Sequence, residues 1–189
     1  MNVQELLTRY AKGERSFQGI VLPEANLEGA NLGGVDFGRA DLRGANLTAA
    51  SLSGANLSKA NLRGAKLERA YLSEVILCGA DLTQATLTTA HLNESDLSGA
   101  SLNGVNLCDA NLHMASITSA NLQGANLSGA KMGGVRMWKA NLQDANLSGA
   151  DLSEANLCEV NLTGANLDDT DMSETFLTGA IMPDGSIHN

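Results

Sequence analysis

The sequence predicts an all-β solenoid opened by a short α-helix, on three observations: a large apolar residue at every fifth position, a small residue two places before it, and turn chemistry after it. The large apolar series runs without exception from Phe17 to Met182, 34 units in all. The small series runs from Ala25 to Ala180, with Ala at 24 of 32 positions and Val, Ser or Thr at the others. Asn, Asp or Ser usually stands between the two, and a small polar residue and often Gly follow, so the unit reads Ala-Asn/Asp-Leu-Ser-Gly.

A period of five matches neither the 3.6 of a helix nor the sustained two of a long strand. Two inward residues separated by one outward residue do match a very short strand, and Ser-Gly turns the chain after it. Each unit is therefore one side of a coil. The composition supports a packed interior, since a biased, aromatic-poor chain (3% aromatic) with Leu every few residues cannot be a disordered tract, which lacks large aliphatics. No window reaches the roughly 18 consecutive apolar residues of a membrane span. The first residues lack the basic and apolar regions of a signal peptide, so a cytoplasmic location is expected. Cys78, Cys108 and Cys158 are odd in number and lack Cys-x-x-Cys spacing, which points away from disulfides and zinc.

Units such as Ala125 to Gly129, Ala145 to Gly149 and Ala150 to Glu154 resemble the pentapeptide-repeat proteins, and the likeness covers about nine tenths of the chain. The resemblance implies a right-handed quadrilateral parallel β-helix with four units per coil, Leu and Ala filling its interior. Residues twenty apart should then stack in columns. Asn106, Asn126, Asn146 and Asn166 fall at that spacing, as do Phe17 and Phe37, and Asp151 and Asp171. The β-helix is expected over residues 16–182 as about eight and a half coils, roughly 40 Å long at the strand spacing of a ladder.

Such a rod needs capping at both ends. Residues 1–15 form the expected helical cap: Asn2 to Glu5 can make a capping box, and Val3, Leu6, Leu7 and Tyr10 fall on one helix face before Gly13. Residues 183–189, entered through Pro183-Asp184-Gly185, form the expected C-terminal capping loop. Both termini resemble those of cyanobacterial members of the family.

No catalytic, cofactor-binding or metal site is expected, because a coil packed with Leu and Ala and lacking inserted loops offers no pocket to gather polar groups. His91 and His113, one coil and two residues apart, would lie about 8 Å from each other, too far for easy joint ligation. Charge is more informative. Residues 1–140 hold 12 basic and 12 acidic side chains, while 141–189 hold nine acidic and no Lys or Arg, so the whole net charge of −9 belongs to the last quarter.

Three candidate partner-binding surfaces follow. Asp151, Glu154, Asp171 and Glu174 would stack as an acidic face, which costs a ladder stability and is not required by folding. Arg39, Arg43, Lys59 and Arg63 would form a two-by-two basic patch at one corner. Lys131, Arg136, Trp138 and Lys139 break the consensus, and an exposed Trp beside Arg has the composition of an interaction hot spot. Solvation alone is the competing reading of the two charged surfaces, and tolerated surface drift that of the third. The leading expectation is a non-enzymatic protein-interaction rod, regulatory or scaffolding, with an unidentified protein partner, no membrane and no direct nucleic-acid contact, and either monomeric or weakly associated end to end. The family resemblance also implies an alternative, a DNA-mimic modulator of DNA gyrase. A structural spacer without a specific partner is the third reading.

Overall fold

The computed structural model describes all 189 residues and contains one helix, α1 (Val3–Ala11). Everything after it is repeat. From Ser16 onward the residue before each central Leu bridges, in parallel, to the residue twenty positions later: Ser16 to Asp36, Val21 to Asp41, Asn26 to Asn46, Asn31 to Ser51, and so on to Asn161 and Ile181. Twenty residues per coil over four sides is the quadrilateral β-helix.

Each side is made by a fixed hydrogen-bond grammar. The amide of Leu47 donates to Lys66 O at 2.7 Å in the next coil, and that of Lys66 donates back to Ala45 O at 2.9 Å. Ala50 N closes the corner on Leu47 O at 3.0 Å, a β-turn whose third residue has positive φ. Gly fills that place in many corners, for example Gly99 at φ 66, where the absence of Cβ removes the steric cost. Elsewhere another residue occupies it, most often Glu, Asp, Arg or Lys, as at Glu94 with φ 59.

The recurrence of Asn and Asp before Leu has a local cause. Their side-chain oxygen accepts the amide two residues on, as Asn126 does from Ser128 at 3.2 Å and Asp151 from Ser153 at 3.0 Å. This ties each strand to its own turn. Stacked Asn side chains also bond to one another: Asn126 Nδ2 donates to Asn106 Oδ1 at 3.3 Å, and Asn146 Nδ2 to Asn126 Oδ1 at 3.4 Å. The inward side chains form one core of 59 buried residues running the length of the rod, with Met132, Met137 and Phe37 taking the Leu position without exposure. The only buried polar side chain, Ser95, donates its hydroxyl to Leu92 O at 2.5 Å.

The first coil is roofed. Asn2 Oδ1 accepts Glu5 N at 2.9 Å, the N-cap half of a capping box, while Glu5 turns its carboxylate to Arg9. Leu6 is fully buried, Val3, Leu7 and Tyr10 pack against the core, and the Tyr10 hydroxyl donates to Gly33 O at 2.7 Å. Glu14, hydrogen-bonded and ion-paired to Arg9, is held below the usual carboxylate range.

The last coil is treated differently from the expected covering loop. Asp184 accepts Ser186 N at 2.9 Å, and this tight turn sends the chain back along one side only, with Ile181 and Ile187 paired antiparallel. His188 N donates to Ala180 O at 2.9 Å, and Gly179 N to His188 O at 2.8 Å. The other three sides stay open, and Leu167, Met172 and Leu177 are only partly buried. There the small inward residue becomes Thr: Thr170 and Thr175 donate their hydroxyls to Leu147 O at 2.8 Å and Leu152 O at 3.0 Å in the coil before.

Candidate functional site

The basic corner assembles, but half of it is spoken for. Arg43 pairs with Asp41 at 2.6 Å, and Arg63 with Asp81 at 3.2 Å. Hydrogen bonding from Arg43 holds the Asp41 carboxyl below its ordinary range. Burial pushes Asp81 up, but bonds from Thr83 and then from Arg63 outweigh it, and the group titrates low. Arg39 and Lys59, one column away at positive-φ corners, form no ion pair. The patch therefore carries two free cations rather than four.

The Trp138 region divides. Trp138 is 42% exposed, and its Nε1 donates to Glu159 Oε1 at 3.3 Å. Lys139 Nζ lies 3.4 Å from Glu159 Oε2 and 4.2 Å from the indole centroid, so indole, ammonium and carboxylate form one closed cluster across two coils. Arg136 is on the same side, bordering an open groove with Glu94, His113 and Met114. Lys131 stands on the neighbouring side, in a groove of about 360 Å³ beside Arg69, Tyr71 and His91, whose rings stack 5.2 Å apart. Glu159 was missing from the sequence-derived set. Its signal was the interval of twenty from Lys139.

The acidic face is where the columns meet least opposition. Asp151 bridges to Asp171, and Glu154 N reaches Ser173 O at 2.9 Å, which sets Glu154 and Glu174 in adjoining coils. Of the nine carboxylates after residue 140, Glu159 alone has an ion pair. The Asp171 carboxyl is held below its usual range by the Ser173 amide and then by the Ser173 hydroxyl, not by any cation. Folding asks this position for an acceptor oxygen, which Asn supplies as well at Asn166 and Asn161. The charge is thus an addition to the structural role.

The cysteine side chains point outward yet are half-buried. Burial, followed by the neighbouring Asp96, pushes the Cys78 thiol up to about 11, which keeps it protonated and unreactive near neutral pH. No group of three or more His, Cys, Asp or Glu converges on a point, and no helix is long and apolar enough to cross a membrane.

The geometry agrees with what comparison finds. A family profile described as pentapeptide repeats matches eight copies that together span residues 22–179. The heterocyst-differentiation protein HetL of the cyanobacterium Nostoc sp. strain PCC 7120 is 38% identical, with full coverage of both chains and a TM-score of 0.41. A second Nostoc pentapeptide-repeat protein, alr5209, is 31% identical over 74% of this chain and 80% of its own, with a TM-score of 0.25. The plasmid-mediated fluoroquinolone resistance protein QnrB1 is 18% identical over 85% of this chain and 91% of its own, with a TM-score of 0.48. No curated protein matches the chain.

Proposed function

The chain belongs to the pentapeptide-repeat family, and we propose that it works as a non-enzymatic interaction rod whose acidic C-terminal quarter engages a cationic protein partner in the cytoplasm. One observation carries this reading: eight exposed or half-exposed carboxylates at one end form no ion pair, Asp151 included although Lys131 precedes it in its column, on a fold that needs only neutral acceptors there. Unpaired charge of one sign raises the encounter rate with a partner of the other. The 38% identical HetL is described as involved in regulating heterocyst differentiation, which supports a regulatory rather than a catalytic role for this chain.

The placement of charge also separates this reading from DNA mimicry. A duplex carries about one charge per 1.7 Å along its whole axis. Here residues 1–140 are balanced, 12 against 12, and only the last quarter is acidic.

Affinity capture with the intact chain tests the proposal. Reversal of Asp151, Glu154, Asp171 and Glu174 to Lys should release the captured partner, while Arg39→Ala and Lys59→Ala should retain it. Capture that survives the reversals but is lost with Trp138→Ala and Arg136→Ala would move the site to the consensus break. Capture indifferent to every one of these changes, or inhibition of DNA gyrase supercoiling by stoichiometric protein, would overturn the proposal.

A further inference from the structure

The last coil is an unfinished ladder. In every earlier coil the amides of the Leu position and of the second turn residue donate to the coil that follows, as Leu147, Gly149, Leu152, Glu154 and Leu157 donate to residues 166, 168, 171, 173 and 176. Their counterparts one coil on are Leu167, Asp169, Met172, Glu174 and Leu177, and none of these five amides has an acceptor. The carbonyls of Ala165, Thr170 and Thr175 are likewise unpaired. Beneath them the partly exposed Leu167, Met172 and Leu177 continue the core to the surface, beside Phe176 at 62% exposure. Three of four sides thus present a parallel strand edge with an apolar floor, the geometry that accepts an added strand.

Charge decides what can be added. The last coil, residues 165–184, carries Asp168, Asp169, Asp171, Glu174 and Asp184 and no Lys or Arg. A second copy brought end to end would set five carboxylates against five. The first coil, residues 15–34, also leaves the Val21, Asn26 and Asn31 amides unpaired, but it nets a single negative charge and its interior lies under α1.

We propose that the open edge at residues 165–178 receives an extended segment of a partner protein in which Lys or Arg alternates with small and large apolar residues, adding strands to the β-helix. The apolar residues enter the exposed floor, the backbone takes up the five free amides, and the cations meet Asp168, Asp169, Asp171 and Glu174. This rests on the interaction reading above and names its surface and the chemistry of its partner.

The probe is a synthetic peptide of three sides, acetyl-Ala-Lys-Leu-Ser-Lys-Ala-Arg-Leu-Ser-Lys-Ala-Lys-Leu-amide, added to the intact chain at low salt, with amide exchange followed by NMR. The expected result is at least tenfold slower exchange at Leu167, Asp169, Met172, Glu174 and Leu177, with no change at Val21, Asn26 and Asn31. The matching Asp/Glu peptide should bind at least tenfold more weakly. The variant Asp168→Asn, Asp169→Asn, Asp171→Asn, Glu174→Gln keeps every acceptor oxygen the turns use, so it should remain folded by circular dichroism and lose at least tenfold in peptide affinity. Unchanged exchange at millimolar basic peptide, equal binding of the acidic peptide, or a wild-type dimer through this edge by light scattering would overturn the proposal. If a partner captured from cells protects the Trp138 side and leaves the five amides free, the edge is excluded while the interaction reading stands.

Discussion

At the N-terminal end Phe17 and Leu22 are buried in one core with Leu6 of α1, whereas at the C-terminal end Leu167, Met172 and Leu177 hold the same place in their coil as Phe17 and Leu22 and remain partly exposed. The repeat meets the same problem twice, a coil with no further coil stacked on it. A nine-residue helix with Asn2 as its cap covers the interior in one case. In the other, a tight turn at Asp184 returns the chain along a single side and leaves the rest bare. The difference teaches that the C-terminal rim is guarded by charge rather than by cover, since like charges on an edge discourage pairing with a second copy. What repels a copy can attract a cationic segment.

Core truncation at the two ends should separate them most. Leu6→Ala removes a fully buried side chain and is expected to cost about 3 kcal/mol in urea unfolding. Leu167→Ala, already part-exposed, is expected to cost about 1 kcal/mol by the same measurement. Equal losses would mean that the C-terminal interior is as covered as the N-terminal one. Thr175→Ala, which loses the hydroxyl bond to Leu152 O, should fall near or just under this, at about 1 kcal/mol.

Acid, combined with salt, should sharpen the comparison. Glu14 and Asp41 titrate below their ordinary range because of Arg9 and Arg43, so the stability they contribute is present above the unfolded carboxyl range and is lost as pH falls below about 4. Asp171 and Asp184 also titrate low, but hydrogen bonds from Ser173 and Ser186 hold them there rather than a cation, so their contribution is lost over the same range. Thermal unfolding followed with probes in each half should show both ends losing stability between about pH 4 and pH 2, and raised salt should diminish the loss chiefly at the N-terminal end, where ion pairs cause it. Smallest of all, Asp171→Asn at neutral pH keeps the acceptor for Ser173 N and removes a like-charge neighbour of Asp151, and should raise the urea midpoint only slightly.

Much of this was legible in the residues because the repeat leaves so little choice. The period of five, the columns at twenty and the face of α1 are all dictated by which side chains must be dry, and apolar identity records that directly. Side-chain partnerships were harder to read. The four basic residues were visible as a patch, but their neutralisation by Asp41 and Asp81 depends on whether a long guanidinium reaches along its own side or up one coil. Glu159 lies one coil above Lys139, but a single acidic residue in an acidic stretch has no signature until the indole of Trp138 is placed beside it. The C-terminal segment reads as a loop folded over the last coil, whereas it returns along one side with Ile187 paired to Ile181. Its Pro-Asp-Gly sequence does encode a turn, but the direction taken after a turn is settled by the edge it finds.

Amide hydrogen exchange of the free chain, resolved by residue, tests the central claim most directly. The account predicts that Leu167, Asp169, Met172, Glu174 and Leu177 exchange at least 100-fold faster than Leu147, Gly149, Leu152, Glu154 and Leu157, whose amides are bonded into the next coil. Comparable protection of the two sets would contradict it, because it would mean that the last coil is already covered and that the rod has no open end.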